Sequence, residues 1–333
     1  MHLSDIDYEL PEKLIAQHPV EPRDSARLLV ATHPDRVEHK HMTDLVDMLE
    51  AGDVLVVNDT RVLPARLALH RKTGGAAEVL LLEQRSSDFR LWEALVKPAS
   101  KLKPDEVLEY FGKRVVRVGP RTEAGDTFVV ELLDENPMEL LQRIGAMPLP
   151  PYIRSSLTDL ERYQTIYARR MASAAAPTAG LHFTPELMAK IAAKGVTVET
   201  VELVVGLDTF KPISTDDPLD HLIHSEFYSV EQRVMDACRD ANRVIAVGTT
   251  ATRALESVAV SGQLSGRTSL FITPGFEWKV VDLMLTNFHL PKTSLLLMIE
   301  SFIGPRWREL YAEAISQQYR FLSFGDAMLL ARS

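Results

Sequence analysis

Apolar and polar residues alternate differently in the middle of the chain than at its ends. The run Asp53-Val-Leu-Val-Val-Asn58, set between Gly52 and Asp59, predicts a short buried strand. From Arg66 onward, six short alternating stretches follow at 66–70, 77–83, 91–96, 107–111, 114–118 and 128–132, separated by turn-like Gly, Pro and Asp residues. Strands at this spacing with no helix among them predict a small all-β barrel or sandwich. Pro148-Leu-Pro-Pro151 closes the region, because clustered prolines continue neither a helix nor a central strand. Beyond it the period switches back and forth. Helices are predicted at 185–194, with Thr184 as N-cap and Gly195 as stop, and at 231–242, 251–260, 293–303 and 306–318; strands are predicted at 196–205, 243–248 and 269–273. The expected fold is an α/β main domain with an inserted small all-β, barrel-like domain. The main domain is discontinuous, residues 1–62 and 148–333, and the insert is 63–147.

Composition narrows the class. At 333 residues, 46% hydrophobic and 25% charged, the chain has the balance of an ordinary globular protein and no uncharged apolar run long enough to span a bilayer. The acidic N-terminal segment lacks the basic flank of a secretory leader. A single cysteine, Cys238, excludes an intramolecular disulfide or a thiolate cluster and fits a reducing cytoplasm. The net charge of −9 argues against generic nucleic-acid binding, but it is uneven: residues 61–121 carry +6 and the remainder −15. A basic segment in an acidic chain reads either as a local anion-binding face or as edge strands blunted by Lys and Arg.

Signatures for nucleoside triphosphates, dinucleotides, α/β-hydrolase chemistry and zinc proteolysis are absent. Several polar clusters remain, each with a functional and a structural reading. His221-Leu-Ile-His224-Ser-Glu226 offers two imidazoles and a carboxylate, as metal ligands, as a base with its orienting acid, or as polar structure. Pro177-Thr-Ala-Gly-Leu-His182 follows a small-residue tract and leads into a helix, so it suits close approach of a ligand to backbone N–H groups, or merely an N-capped turn. Val247-Gly-Thr-Thr-Ala-Thr-Arg253 joins a strand to a helix start, where ligands collect in open α/β sheets; alternatively Thr caps the helix and Arg253 pairs with Glu256. Thr286-Asn-Phe-His289 is a further polar cluster between apolar elements.

Taken in order, these segments stand beside Tyr8-Glu-Leu-Pro11, Asn58-Asp-Thr-Arg-Val-Leu-Pro-Ala-Arg66, Met147-Pro-Leu-Pro-Pro-Tyr-Ile153, Tyr163-Gln-Thr-Ile-Tyr167 and Tyr319-Arg-Phe-Leu-Ser-Phe-Gly-Asp-Ala-Met328. From about residue 4 to residue 330 the chain resembles the S-adenosylmethionine:tRNA ribosyltransferase-isomerase family of queuosine biosynthesis. Two departures stand out. Where the family often reads His-Val-Gly-x-Gly-Thr-Phe, this chain has Val204-Val-Gly-Leu-Asp208-Thr-Phe210, so a role for that histidine does not transfer.

The resemblance implies transfer of the ribosyl part of S-adenosylmethionine to the aminomethyl group of a 7-deazaguanine at the tRNA wobble position. Isomerisation to an epoxycyclopentane then releases adenine and methionine and leaves epoxyqueuosine-tRNA. It implies no metal and no organic cofactor, S-adenosylmethionine being a substrate. The expected partners are S-adenosylmethionine and tRNA carrying 7-aminomethyl-7-deazaguanine, with no membrane and no obligatory protein partner, the enzyme working as a cytoplasmic monomer. Such a path needs a base, an acid for adenine, a carboxylate clamp and exclusion of water. Residue chemistry makes His182, His224, Glu226 and His289 the catalytic candidates. Thr249, Thr250 and Arg253 suit a carboxylate or phosphate. Asn58, Arg61, Arg66, Thr178, Gly180, Thr209, His221 and Asn287 complete the candidate substrate contacts, and Lys113, Arg114 and Arg117 are candidates for tRNA contact. A tRNA-binding module without catalysis, and an S-adenosylmethionine methyltransferase, are the rivals; the first releases no adenine and the second yields S-adenosylhomocysteine.

Overall fold

A computed structural model describes residues 1–103, 105–122, 125, 127–155, 157, 159–173, 175–206, 212–223 and 225–333. The chain divides into two units, one of Met1–Thr60, Pro151–Arg170 and Ala176–Ser333, the other of Arg61–Pro150 and Met171–Ala175.

The first unit is built on a nine-stranded sheet. Its order is Ser265–Thr268, Glu226–Ser229, Thr197–Leu203, Val54–Asn58, Val244–Val247, Leu283–Asn287, Ala327–Ala331, Arg27–His33 and Arg36–His41. The four strands from Thr197–Leu203 to Leu283–Asn287 run parallel, so their carboxyl ends share one edge. Val54–Asn58, Val244–Val247 and Leu283–Asn287 are buried at every position, the continuous apolar reading of strands covered on both faces. Against one face lies a core containing Leu55, Val57, Ile245, Val247 and Leu285 from the strands with Phe183, Leu187 and Ile191 around helix Pro185–Ala193. That helix starts as its sequence predicts: the Leu187 N–H donates to Thr184 Oγ1 at 3.1 Å, Pro185 opens the first turn, and Gly195, with φ +87°, ends it. Helix Gly248–Ser261 packs on the same four strands and contributes nothing to that core.

One expected strand is displaced. Residues 269–273 are irregular, and the strand is Ser265–Thr268, where Glu226 to Ser229 find partners in Thr268 to Ser265. Pairing with an existing strand edge overrides local alternation here, and Ile272 buries its side chain without a ladder.

The barrel of the second unit is formed by six antiparallel strands, ordered Arg66–Arg71, Ala76–Gln84, Leu91–Lys97, Phe128–Leu132, Lys113–Arg121 and Val107–Tyr110, with the two-residue strand Gly145–Ala146 added beside Arg66–Arg71 as the seventh of the sheet. His70 and Arg71 pair back to Glu109 and Leu108, which closes the barrel. Alternate residues fill it, among them Leu67, Val79, Trp92, Val96, Val116 and Val130. Helix Pro137–Ile144 follows, an element absent from the sequence expectation. The expected α/β fold with an inserted β barrel is the fold observed.

Candidate active site

Three of the four parallel strands open at their carboxyl ends onto one cleft of about 610 Å³, its open mouth included. Val205 follows the strand Thr197–Leu203, Gly248, Thr249 and Thr250 follow Val244–Val247, and Asn287, Phe288 and His289 end or follow Leu283–Asn287. Pro177, Thr178 and Ala179 form a further wall, with Tyr152 and Ser323 joined by a 2.7 Å hydroxyl contact. Among the described lining residues none is Lys, Arg, Asp or Glu. The polar atoms are hydroxyls, one carboxamide and one imidazole in an otherwise apolar wall, the usual composition of a small-molecule site.

His289 carries that imidazole. Its Nε2 lies 2.9 Å from Thr286 Oγ1, its backbone N–H donates to the Tyr311 hydroxyl at 3.0 Å, and its carbonyl accepts from Tyr8. Burial lowers its pKa to about 3, so at neutral pH the ring is uncharged. Asn287 connects the cleft to His182. Its Nδ2 donates to the Leu322 and Ser323 carbonyls at 2.9 and 3.3 Å, which turns Oδ1 toward His182 Nε2 at 3.1 Å. That nitrogen must therefore be the donor, and Nδ1 of the neutral ring carries the lone pair. Burial lowers the His182 pKa, with the Asn287 bond opposing it. His182 itself faces a smaller cavity of about 240 Å³ beside Arg23 and Arg162, with Ser323 shared between the two cavities.

Other candidates are held elsewhere. Glu226 and Arg253 form a buried ion pair, each side chain 7% exposed; Glu226 Oε1 also accepts from the Gly206 N–H at 3.1 Å, and Arg253 donates to the Thr268 carbonyl at 3.2 Å. Arg253 is thus engaged by Glu226, while Glu256 instead accepts from the backbone N–H groups of Lys279, Val280 and Val281. Asn58 ties strand ends together, donating to the Leu203 carbonyl at 2.9 Å and accepting from the Thr60 N–H at 3.1 Å. Gly180 is small for its neighbour: a Cβ there would lie 2.1 Å from the Tyr167 hydroxyl. Thr178 and Thr249 stand on the cleft with Thr250. His221 packs its ring near Phe271, Arg61 is half-buried, and Arg66 pairs with Glu78 at 3.3 Å. Thr209 and His224, with Asp208, lie outside the described residues. On the barrel, Lys113 pairs with Asp134 at 3.0 Å and Arg117 with Glu131, whereas Arg114 is exposed. Among the described residues, no group of three His, Cys, Asp or Glu side chains is placed to hold a metal, and no helix is long and apolar enough to cross a membrane.

Tyr152, Thr286, Thr293 and Ser323 complete the cleft although the sequence marked none of them as a site residue. Three of these lie in quoted motifs, Tyr152 after the prolines, Thr286 at the start of its polar cluster and Ser323 near the C-terminal strand, so the available signal was their place in those motifs.

A parallel sheet with a cleft at the carboxyl ends of its strands is the arrangement in which α/β enzymes bind small organic ligands. A family model described as queuosine biosynthesis protein matches residues 3–330. The chain is 47% identical to S-adenosylmethionine:tRNA ribosyltransferase-isomerase of Desulforamulus reducens, covering 99% of this chain and 100% of the relative. The same enzyme from Symbiobacterium thermophilum is 49% identical with the same coverage, and that of Acaryochloris marina 47% over 98% and 93%. A crystal structure of S-adenosylmethionine tRNA ribosyltransferase from Thermotoga maritima aligns with a TM-score of 0.56 and 36% identity, covering 98% of this chain and 99% of that one. The chain belongs to the S-adenosylmethionine:tRNA ribosyltransferase-isomerase family of queuosine biosynthesis.

Proposed function

We propose that the cleft at the strand ends binds S-adenosylmethionine and that the enzyme transfers and isomerises its ribosyl group onto the 7-aminomethyl-7-deazaguanine of tRNA, working as a cytoplasmic monomer. The observation that carries this reading is the wall of the cleft, in which hydroxyls, the Asn287 amide and the neutral His289 ring interrupt apolar surface. Loss of a proton beside the sulfonium gives an ylide, elimination expels adenine, the tRNA amine adds to the exposed aldehyde, and ring closure expels methionine. His289 is the proton-transfer group on this reading, with Asn287 and His182 behind it. Glu226 and Arg253 brace the wall of the site. His224 and Thr209 remain candidates on the same grounds of residue chemistry.

Incubated with S-adenosylmethionine and modified tRNA, the protein is expected to release adenine and methionine in equal amounts, and neither without tRNA. An ylide formed only when its acceptor is bound is protected from water. S-adenosylhomocysteine among the products, or steady methionine release without tRNA, would overturn the reading.

For tRNA we propose the barrel hairpin that carries Lys113, Arg114 and Arg117. Its turn holds Phe111, 88% exposed and at φ +47°, a conformation that disfavours a bulky side chain. An exposed ring beside basic residues suits stacking of an unpaired base. Replacing Lys113 and Arg114 by alanine is expected to flatten the slope of log affinity against log salt by about 0.7–0.9 per lost phosphate contact. Phe111→Ala is expected to weaken binding about tenfold or more with the slope unchanged. Titrations at several salt concentrations check both; unchanged affinity in all variants places the tRNA on another face.

A further inference from the structure

We infer that the N-terminus of helix Gly248–Ser261 holds the carboxylate of the amino-acid end of S-adenosylmethionine, with the Thr250 hydroxyl as its side-chain donor; this rests on the cleft being the S-adenosylmethionine site. Helices near the cleft have capped starts. Thr184 accepts from Leu187 N–H, and Thr293 accepts from Leu296 N–H while donating to the Leu290 carbonyl at 2.8 Å. Helix Gly248–Ser261 differs: Val247 at its N-cap offers no side-chain acceptor, and its first turn holds no acid. Its leading N–H groups are therefore orphan donors at the positive end of a fourteen-residue helix.

The second observation is Thr250 itself. It is 9% exposed, it lines the cleft, and its Oγ1 is buried with no hydrogen-bond partner. Thr252, two residues on, satisfies its own hydroxyl on the Gly248 carbonyl at 3.0 Å, whereas the buried hydroxyl of Thr250, a residue that lines the cleft, meets no acceptor. A buried unpaired hydroxyl destabilises a fold, and a bound acceptor removes that penalty. The described lining has no cationic side chain, and Arg253, one turn further along, is engaged by Glu226. The helix start is thus the positive pole of the cleft. S-adenosylmethionine carries one anionic group, its carboxylate; its sulfonium and ammonium are repelled from that pole, and adenine is neutral. The methionine end accordingly points to Gly248–Thr250.

The test compares S-adenosylmethionine with its decarboxylated form by equilibrium dialysis, at saturating tRNA that lacks the reacting amine so that no turnover intervenes. Thr250→Val is expected to bind S-adenosylmethionine about 10–100-fold more weakly, as for loss of a hydrogen bond to a charged group. The decarboxylated ligand should bind wild type and Thr250→Val alike, and Thr250→Ser should restore the preference. The free Thr250→Val protein should unfold at the same or a higher temperature than wild type, which a structural role would not produce; Thr250→Ala serves as a second variant for the same comparison. Equal losses for both ligands, or none, overturn the assignment. Leu295→Trp, which fills the half-buried edge of the cleft, separates the two levels. If it abolishes binding of both ligands while Thr250→Val does not discriminate, only the carboxylate assignment fails. If S-adenosylmethionine still binds Leu295→Trp normally, the cleft reading fails and this inference with it.

Discussion

Glu226→Ala is expected to lower the stability of the fold by about 3–5 kcal/mol, read as a shift of the urea midpoint at neutral pH. The loss comes from what remains. Arg253 sits on helix Gly248–Ser261, and burial already pulls its pKa down, with Glu226 pushing back. Without the carboxylate, a buried cation loses its Glu226 counter-charge and keeps its bond to the Thr268 carbonyl. The Gly206 N–H loses its acceptor as well. Glu226 lies directly opposite Thr268 on the neighbouring strand, so the pair joins the edge strand and the strand beside it to the helix that lines the cleft. The double variant Glu226→Leu/Arg253→Met should recover most of the loss, because apolar groups of similar volume need no partner. A Glu226→Ala protein within about 1 kcal/mol of wild type would show that the pair braces nothing.

His289→Gln is expected to lower kcat by about 10²–10⁴-fold, the usual contribution of a positioned proton-transfer group, with little change in tRNA affinity. A ring with a pKa of about 3 is neutral throughout the working range, so kcat should show no limb near pH 6.5 that His289→Gln removes. The same shift predicts a stability effect of definite sign. Between about pH 6.5 and pH 3 the unfolded chain binds a proton at this position that the folded chain does not. Stability from His289 is therefore complete above pH 6.5 and falls as the pH drops toward 3, by up to about 1.4 kcal/mol per pH unit. His289→Gln should have the shallower acid limb, while His182, also lowered by burial, keeps part of the slope in the variant. Normal turnover in His289→Gln would reduce the residue to a packed loop histidine.

The barrel was legible because its strands alternate, and all six expected stretches appear as strands with ends shifted by a few residues at most. The helix Pro185–Ala193 announced itself through Thr184 and Gly195. Strands without alternation were another matter. Arg27–His33 and Ala327–Ala331 are short apolar runs, which look alike in a strand and in a buried helix, and their pairing joins residues some 300 positions apart. Site residues separated along similar lines. His289, Asn287, Thr249 and Thr250 sit at strand ends, where an open sheet collects its ligands, and the motifs flagged them. Glu226 and Arg253 have the residue types of a catalytic pair; nothing local to either reveals that they meet each other, because that depends on the register of Glu226–Ser229 against Ser265–Thr268.

The hairpin of Arg27–His33 and Arg36–His41 joins the main sheet only through Ala327–Ala331. Leu28 pairs with Ala327, so on the ribosome the docking strand emerges some 300 residues after the strand it meets. Until then Leu28, Leu29, Val30 and Ala31, fully covered in the finished sheet, present an open apolar edge. Synthesis thus leaves this strand waiting for a partner made much later, and the basic and polar face of Arg36-Val-Glu-His-Lys-His41 is what stands beside that edge during the wait.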